Sequence, residues 1–101
     1  MPTDIAVRAS GPSLASQGLT NVLADPTLEL YNANGTIMVS NDDWQSDPIS
    51  AGKLTAKGLG LSDPKEAGIF TSLAPPGQFT AIVCGKNGGT GIGLLEIYHV
   101  K

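Results

Sequence analysis

Three of the chain's six aspartates, Asp42, Asp43 and Asp47, crowd with Asn41 around its only tryptophan, Trp44, in the stretch from Val39 to Asp47. Carboxylates and amides gathered at a strand end offer the hard oxygen ligands that calcium takes six to eight at a time, and such a site needs no thiolate or imidazole. Asn32 or Asn34 would join it if their turn folded toward the same edge. The spacing is not that of an EF-hand, because "NDDWQSDPISAG" lacks the central glycine and the closing glutamate. The same residues also suit a polar turn, with Asp47 capping a helix, since Asn and Asp side chains bond readily to nearby backbone amides. Trp44, with Tyr31, offers the aromatic surface on which a sugar ring would stack; a lone tryptophan beside a polar loop equally plugs one end of a core.

Other chemistries have less to stand on. One histidine, His99, sits near the C-terminus, and no Gly-x-Ser-x-Gly elbow presents a nucleophile. Cys84 is alone in an apolar run, where a thiol behaves as a small hydrophobe, and it excludes an internal disulfide. Zinc and copper want clusters of His and Cys. In "GKNGGTGIG" the lysine precedes the glycines it should follow and a strand comes next, so the segment reads as a turn and not as a phosphate loop. Asn34-Gly35-Thr36 fits an N-glycosylation acceptor and, more simply, a tight turn.

The elements that must position these residues are mostly strands. At 101 residues, 41% hydrophobic and 15% charged, the chain is one domain, residues 1–101, of ordinary foldable composition. Thirteen glycines and seven prolines punctuate short runs of Val, Ile, Leu and Thr. "DIAVRA" alternates and meets the turn signal "SGPS"; "TLELY" and "TIMVS" flank "NANG" as a hairpin with Leu28, Leu30, Ile37 and Val39 inward. Asp47-Pro48 opens a short helix that Gly58 stops, with Ile49, Lys53 or Gly52, and Ala56 at helical spacing. Asp63 and Glu66 carry the spacing at which each satisfies the other's amide. "AGIFTSL", "QFTAIVCG" and "GIGLLEIYHV", separated by "APPG" and "KNGGT", read as a three-stranded meander. The expected fold is an all-β antiparallel sandwich of jelly-roll type, with about six strands and one short helix in the crossover. Arg8, in an apolar strand, needs an acidic partner such as Glu29, Glu66 or Glu96.

Charge and hydropathy restrict partners. A net charge of −3 with six scattered basic residues leaves no basic stripe for nucleic acid. No apolar run reaches the roughly 18 residues of a membrane span. Low charge with abundant Asn, Asp, Gly and Thr suits a secreted or cell-surface module, whose export signal would lie outside this chain.

Four blocks, "VRASGPSLASQGL", "LADPTLELYNANGTIMVSNDDW", "SDPKEAGIFTSLAPPGQFTAIVCG" and "GGTGIGLLEIYHV", together resemble a module repeated in large secreted bacterial proteins. That module runs "RALGPSL", "ADPTLELYDANG", "NDNW", "LAPGAYTAIV" and "GVALVEVY". More distantly, the order of strand, turn and "NDDW" is similar to bacterial pre-peptidase C-terminal domains, calcium-associated β-sandwiches carried on secreted hydrolases. The resemblance implies a non-catalytic extracellular accessory module with Asn41, Asp42 and Asp43 in its acidic loop. Asn32 stands where the repeat commonly has Asp. Further strands usually precede the first block there, so the chain is expected to be short of strands or an excised unit.

The function expected is thus a binding or structural module, calcium-stabilised and carbohydrate-binding, with a polysaccharide or cell-surface component as partner. The first alternative is a self-assembling or strand-exchanging subunit, a homo-oligomer joined through open strand edges. The second is a small carboxylate- or metal-dependent hydrolase built on Asp42, Asp43 and Asp47.

Overall fold

A computed structural model of the chain describes residues 3–73 and 79–100. Among these residues are six strands, β1 (Thr3–Ser10), β2 (Pro26–Asn32), β3 (Ile37–Asn41), β4 (Ala67–Leu73), β5 (Phe79–Gly85) and β6 (Leu94–Val100), one α-helix, α1 (Pro48–Ala56), and three short 3-10 turns. Two antiparallel sheets of three strands, ordered β4-β1-β6 and β3-β2-β5, pack face to face. No helix among the described residues is long and apolar enough to cross a membrane.

The sandwich core is supplied by alternate residues of the central strands and of β4. Ile5, Val7 and Ala9 of β1, Leu28 and Leu30 of β2, and Ala67 and Ile69 of β4 are buried together, with Val39, Phe79, Ala81 and Val83 packed at the margin. Period-two alternation is what turns such residues to one face of a strand. The first sheet has a second apolar face as well. Ala6 points away from the sandwich and joins Trp44, Leu54 and Leu61 in a smaller core, bordered by Phe70, Tyr98 and Val100. β1 is therefore covered on both sides, and α1 with the segment before it forms a third layer. Full burial of a leucine such as Leu54 contributes roughly 1.5–3 kcal/mol.

Helix α1 begins as its sequence signals require. The Asp47 carboxylate accepts from the Ser50 amide at 3.3 Å, Pro48 occupies the first turn, and Gly58 follows the helix with φ +72. The buried face differs from expectation. Ser50 and Leu54 are its buried residues, while Ile49 is 74% exposed. Of its two large apolar residues the helix buries Leu54, which sits three residues from the apolar Ala51 and faces the first sheet, and leaves Ile49 in the first turn outside.

Three further expectations are corrected. The last three strands do not form a meander: β4 and β6 flank β1 in one sheet, and β5 pairs with β2 in the other. Alternation shows which face of a strand is apolar but not which strand lies beside it. "APPG" falls outside the described residues; "KNGGT" forms a turn, with Asn87 at φ 56 and Gly88 at φ 78, that returns the chain to the first sheet. In the β2–β3 hairpin Leu30 pairs with Val39 but Tyr31 pairs with Ile37, so the register shifts by one residue. That bulge turns Ile37 to the outer face beside Tyr31, leaving it 48% exposed. Cys84, read from its apolar run as a small hydrophobe, is exposed on β5.

One buried carboxylate ties these elements together. Glu66, with no exposed surface, takes the amides of Gly11 (2.8 Å) and Ser13 (3.0 Å) and the Ser13 hydroxyl on Oε2, and the Asp63 amide (3.2 Å) on Oε1. Of the reciprocal pairing expected from the spacing of Asp63 and Glu66 one half is present, the Glu66 carboxylate on the Asp63 amide. Asp63 Oδ1 accepts instead from the Lys65 amide at 2.9 Å, and the Glu66 amide donates to the Asp63 carbonyl at 3.0 Å, closing a turn. Glu66→Gln would turn an amide NH₂ toward donors, and hydrogen bonds to a charged acceptor contribute about 1.5–3 kcal/mol each. Urea unfolding should show a loss of about 3–5 kcal/mol; an unchanged midpoint would mean that the turn amides have other partners.

Gly68 is required for a different reason. A methyl there would stand 2.8 Å from Leu61 Cδ1, 2.9 Å from Leu54 Cδ1 and 3.2 Å from Trp44 Cβ. Overpacking of this kind costs typically 1–3 kcal/mol, so Gly68→Ala should lower the thermal midpoint, together with a change in Trp44 fluorescence.

Candidate functional site

The acidic residues of the opening stretch go to three different tasks. Asn41, at the end of β3, is consumed by the fold: its Oδ1 accepts from the Gly68 amide at 3.0 Å, and its Nδ2 donates to the Asp43 carbonyl at 3.2 Å. Asp47 caps α1. Only Asp42 and Asp43 remain, and the third carboxylate beside them is Asp25, at the residue before β2. One oxygen from each of Asp25, Asp42 and Asp43 lies within 4.8 Å of the others. Asn32 and Asn34 do not reach them, because they close the far end of the hairpin, where Asn32 Oδ1 accepts from the amides of Asn34 (2.9 Å) and Thr36 (3.1 Å).

The second sheet builds this group. Asp25 lies just ahead of β2, Asp42 just beyond β3 and Lys86 just beyond β5, so three neighbouring strands end at one place. The Lys86 amide donates to the Asp25 carbonyl at 2.9 Å, and the Lys86 ammonium meets Asp42 Oδ2 at 2.7 Å. Asp25 Oδ1 and Asp42 Oδ1, by contrast, are shut off from solvent with no hydrogen-bond partner. Burial, the neighbouring Asp42 carboxyl and then Asp43 raise the Asp25 pKa above its ordinary value, against the pull of Lys86. Its bond to Asp42, and then the Asp42 charge, raise that of Lys86. The sequence around Asp25 hides its role, because Asp-Pro reads first as the stop of the preceding segment. The hairpin register would have found it: with Leu28 opposite Asn41, the residues ahead of β2 fall beside Asp42 and Asp43.

The expected aromatic platform does not assemble. Trp44 is 7% exposed and packs with Leu54 and Leu61 behind the first sheet, so its ring is a core plug. Its amide donates to the Glu66 carbonyl at 2.8 Å, while its indole Nε1 is buried without a partner. Tyr31 is half-buried on β2, in the other sheet, where desolvation and then Glu29 raise the phenol pKa. The two rings share no surface.

The remaining reactive groups are dispersed. His99 is exposed on β6 and Cys84 on β5, in different sheets. Arg8 finds its acid in Glu96 at 3.4 Å, and Tyr98 bridges the pair, donating to Glu96 Oε2 at 2.8 Å. No family model matches the chain, and neither does a curated protein or a solved structure.

The sign of the Asp25 shift makes a prediction. An acid with a raised folded-state pKa binds more protons folded than unfolded, so its contribution turns against the fold as pH rises through that window. Without divalent cations, Asp25→Asn should therefore melt above wild type at neutral pH. The advantage should shrink as pH falls and vanish below about pH 3, where Asp25 is protonated in both states. Melts at the two pH values check both parts; a lower midpoint for the variant at neutral pH would contradict them.

Proposed function

We propose that this chain is a non-catalytic structural and binding module of a secreted or cell-surface protein, in which Asp25, Asp42 and Asp43 hold a calcium ion that fastens one end of the second sheet. The observation that carries this reading is the pair of solvent-excluded, unpartnered oxygens, Asp25 Oδ1 and Asp42 Oδ1, in a group of three carboxylates. Buried polar atoms without partners are costly, and a hard cation compensates several at once. Three carboxylates supply up to six oxygens, and carbonyls or water complete the shell that calcium prefers. Lys86 meets only one of these oxygens and leaves the group negative. The cation would join the segment ahead of β2 directly to the end of β3, whose like-charged side chains are otherwise bridged through Lys86. The resemblance to calcium-associated accessory modules supports the same reading.

Thermal melts test it. A ligand that binds only the folded state stabilises it by mass action, about 2.7 kcal/mol at a hundredfold excess over Kd. Calcium should raise the midpoint of wild type, excess chelator should reverse the rise, and Asp42→Asn should abolish most of it. Asp25→Asn should lose its advantage over wild type once calcium is present. A melt indifferent to calcium and chelator would overturn the proposal.

A further inference from the structure

The two edges of the first sheet are finished differently. At β4 two of the outward amides are already used: Gly68 donates to Asn41 Oδ1 (3.0 Å) and Phe70 to Ser50 Oγ (2.8 Å), and just before the strand the Glu66 carbonyl accepts from Trp44 (2.8 Å). At β6 the pins stop short of the strand. Residues 21–23 bond Ile92 on both its amide and its carbonyl, and from Leu94 onward no loop or side chain among the described residues bonds the outer backbone.

The register shows which residues face outward. Because Gly68 and Phe70 aim their amides away from β1, the β4 residues bonded to β1 are Ala67, Ile69 and Thr71, opposite Ala9, Val7 and Ile5. The even residues of β1 therefore bond β6 through Leu94, Glu96, Tyr98 and Val100. Leu95, Ile97 and His99 turn both backbone groups to the open side. Their side chains lie on the face that buries Val7 and Ala9 completely, yet Leu95 is 38% and Ile97 44% exposed. Nothing in "LLEIYHV" defends the edge: it has no proline, no glycine and no lysine.

We infer that β6 is the site of pairing with a second copy of this chain, antiparallel to itself about a two-fold axis at Ile97, which joins the first sheets of both copies into one six-stranded sheet. The match of a carboxylate acceptor, Glu96, to a phenol donor, Tyr98, at both ends of the two-fold favours a second copy, and charge disfavours the register centred on Glu96. With Ile97 opposite Ile97, Leu95 faces His99 of the second copy and Glu96, the strand's only formal charge at neutral pH, faces a tyrosine, Tyr98. An axis at Glu96 would oppose two carboxylates, and like charges directly opposite destabilise a sheet. Arg8 neutralises each Glu96 within its own chain, so the seam carries no net charge although the whole chain carries −3. At the Ile97 register, the outward groups of Leu95, Ile97 and His99 all fall opposite one another and complete the ladder. The exposed leucine and isoleucine side chains of both copies then lie side by side on the same face, as an isologous interface requires. The inference is independent of the cation.

Light scattering after size exclusion, across a concentration series of the whole chain, should give twice the monomer mass at the upper end. Ile97→Pro removes only an amide that the internal ladder does not use, so the variant should stay monomeric with an unchanged far-ultraviolet spectrum. A wild-type monomer at high concentration, or a dimer that survives Ile97→Pro and so pairs elsewhere, for instance through β5, would overturn the inference. A second variant decides the matter should the proline unfold the chain. Opposed residues in a bonded antiparallel pair lie about 5.5 Å apart at Cα, within disulfide reach. Ile97→Cys in a Cys84→Ser background should oxidise to a covalent dimer with the native spectrum, and failure to cross-link in folded protein would count against pairing at β6.

Discussion

A single carboxylate with no charged partner in contact organises the first sheet. Glu66 is buried, and its bonds come from backbone amides and one hydroxyl, not from Arg or Lys. Burying an ion is costly unless its oxygens are filled, and here they are filled by the two segments whose geometry most needs fixing: the turn after β1 and the turn before β4. The backbone of the same residue holds Trp44 through its carbonyl. The register of β1 with β4 and the seat of the core tryptophan thus both converge on one position.

The two sheets then live under different constraints. β1 is covered on both faces, and Ile5, Ala6 and Val7 are all fully buried in succession. β2 is covered on one face only, and its burial alternates along the strand. Unrelieved charge is kept to the end of that second sheet, where Asp25, Asp42 and Asp43 meet Lys86 at three strand ends and the sandwich core is not disturbed. Asn41 separates this group from the first sheet by spending its amide on Gly68 and on the Asp43 carbonyl.

Much of this was legible in the residues. The all-β class, the six strands, the β2–β3 hairpin and the Asp47 cap follow from short-range rules: alternation, turn residues and capping chemistry. What was hidden depends on long-range choices. The alternation of β4, β5 and β6 is the same whether they pair in order or cross between sheets, so the exchange of sheets left no local mark. The bulge at Leu30 and Tyr31 inverted the face of Ile37 with no glycine to announce it. At the candidate site, Asp42 and Asp43 were visible as a cluster, Asn41 and Asp47 proved to be structural, and Asp25 came into view only through the register of the hairpin. Trp44 beside acids suggested a ligand floor, but its ring lies behind the first sheet with Leu54 and Leu61.

The side chains that occupy the edge of β4 have a consequence for how far order can spread. Asn41 and Ser50 occupy the amides of Gly68 and Phe70, which another strand would need, so that stretch of the rim is a poor template. A sheet that is receptive along only one rim can take one neighbour of its own kind and then presents two sealed ends. What those two polar side chains withhold is the capacity of the first sheet to grow along both of its rims.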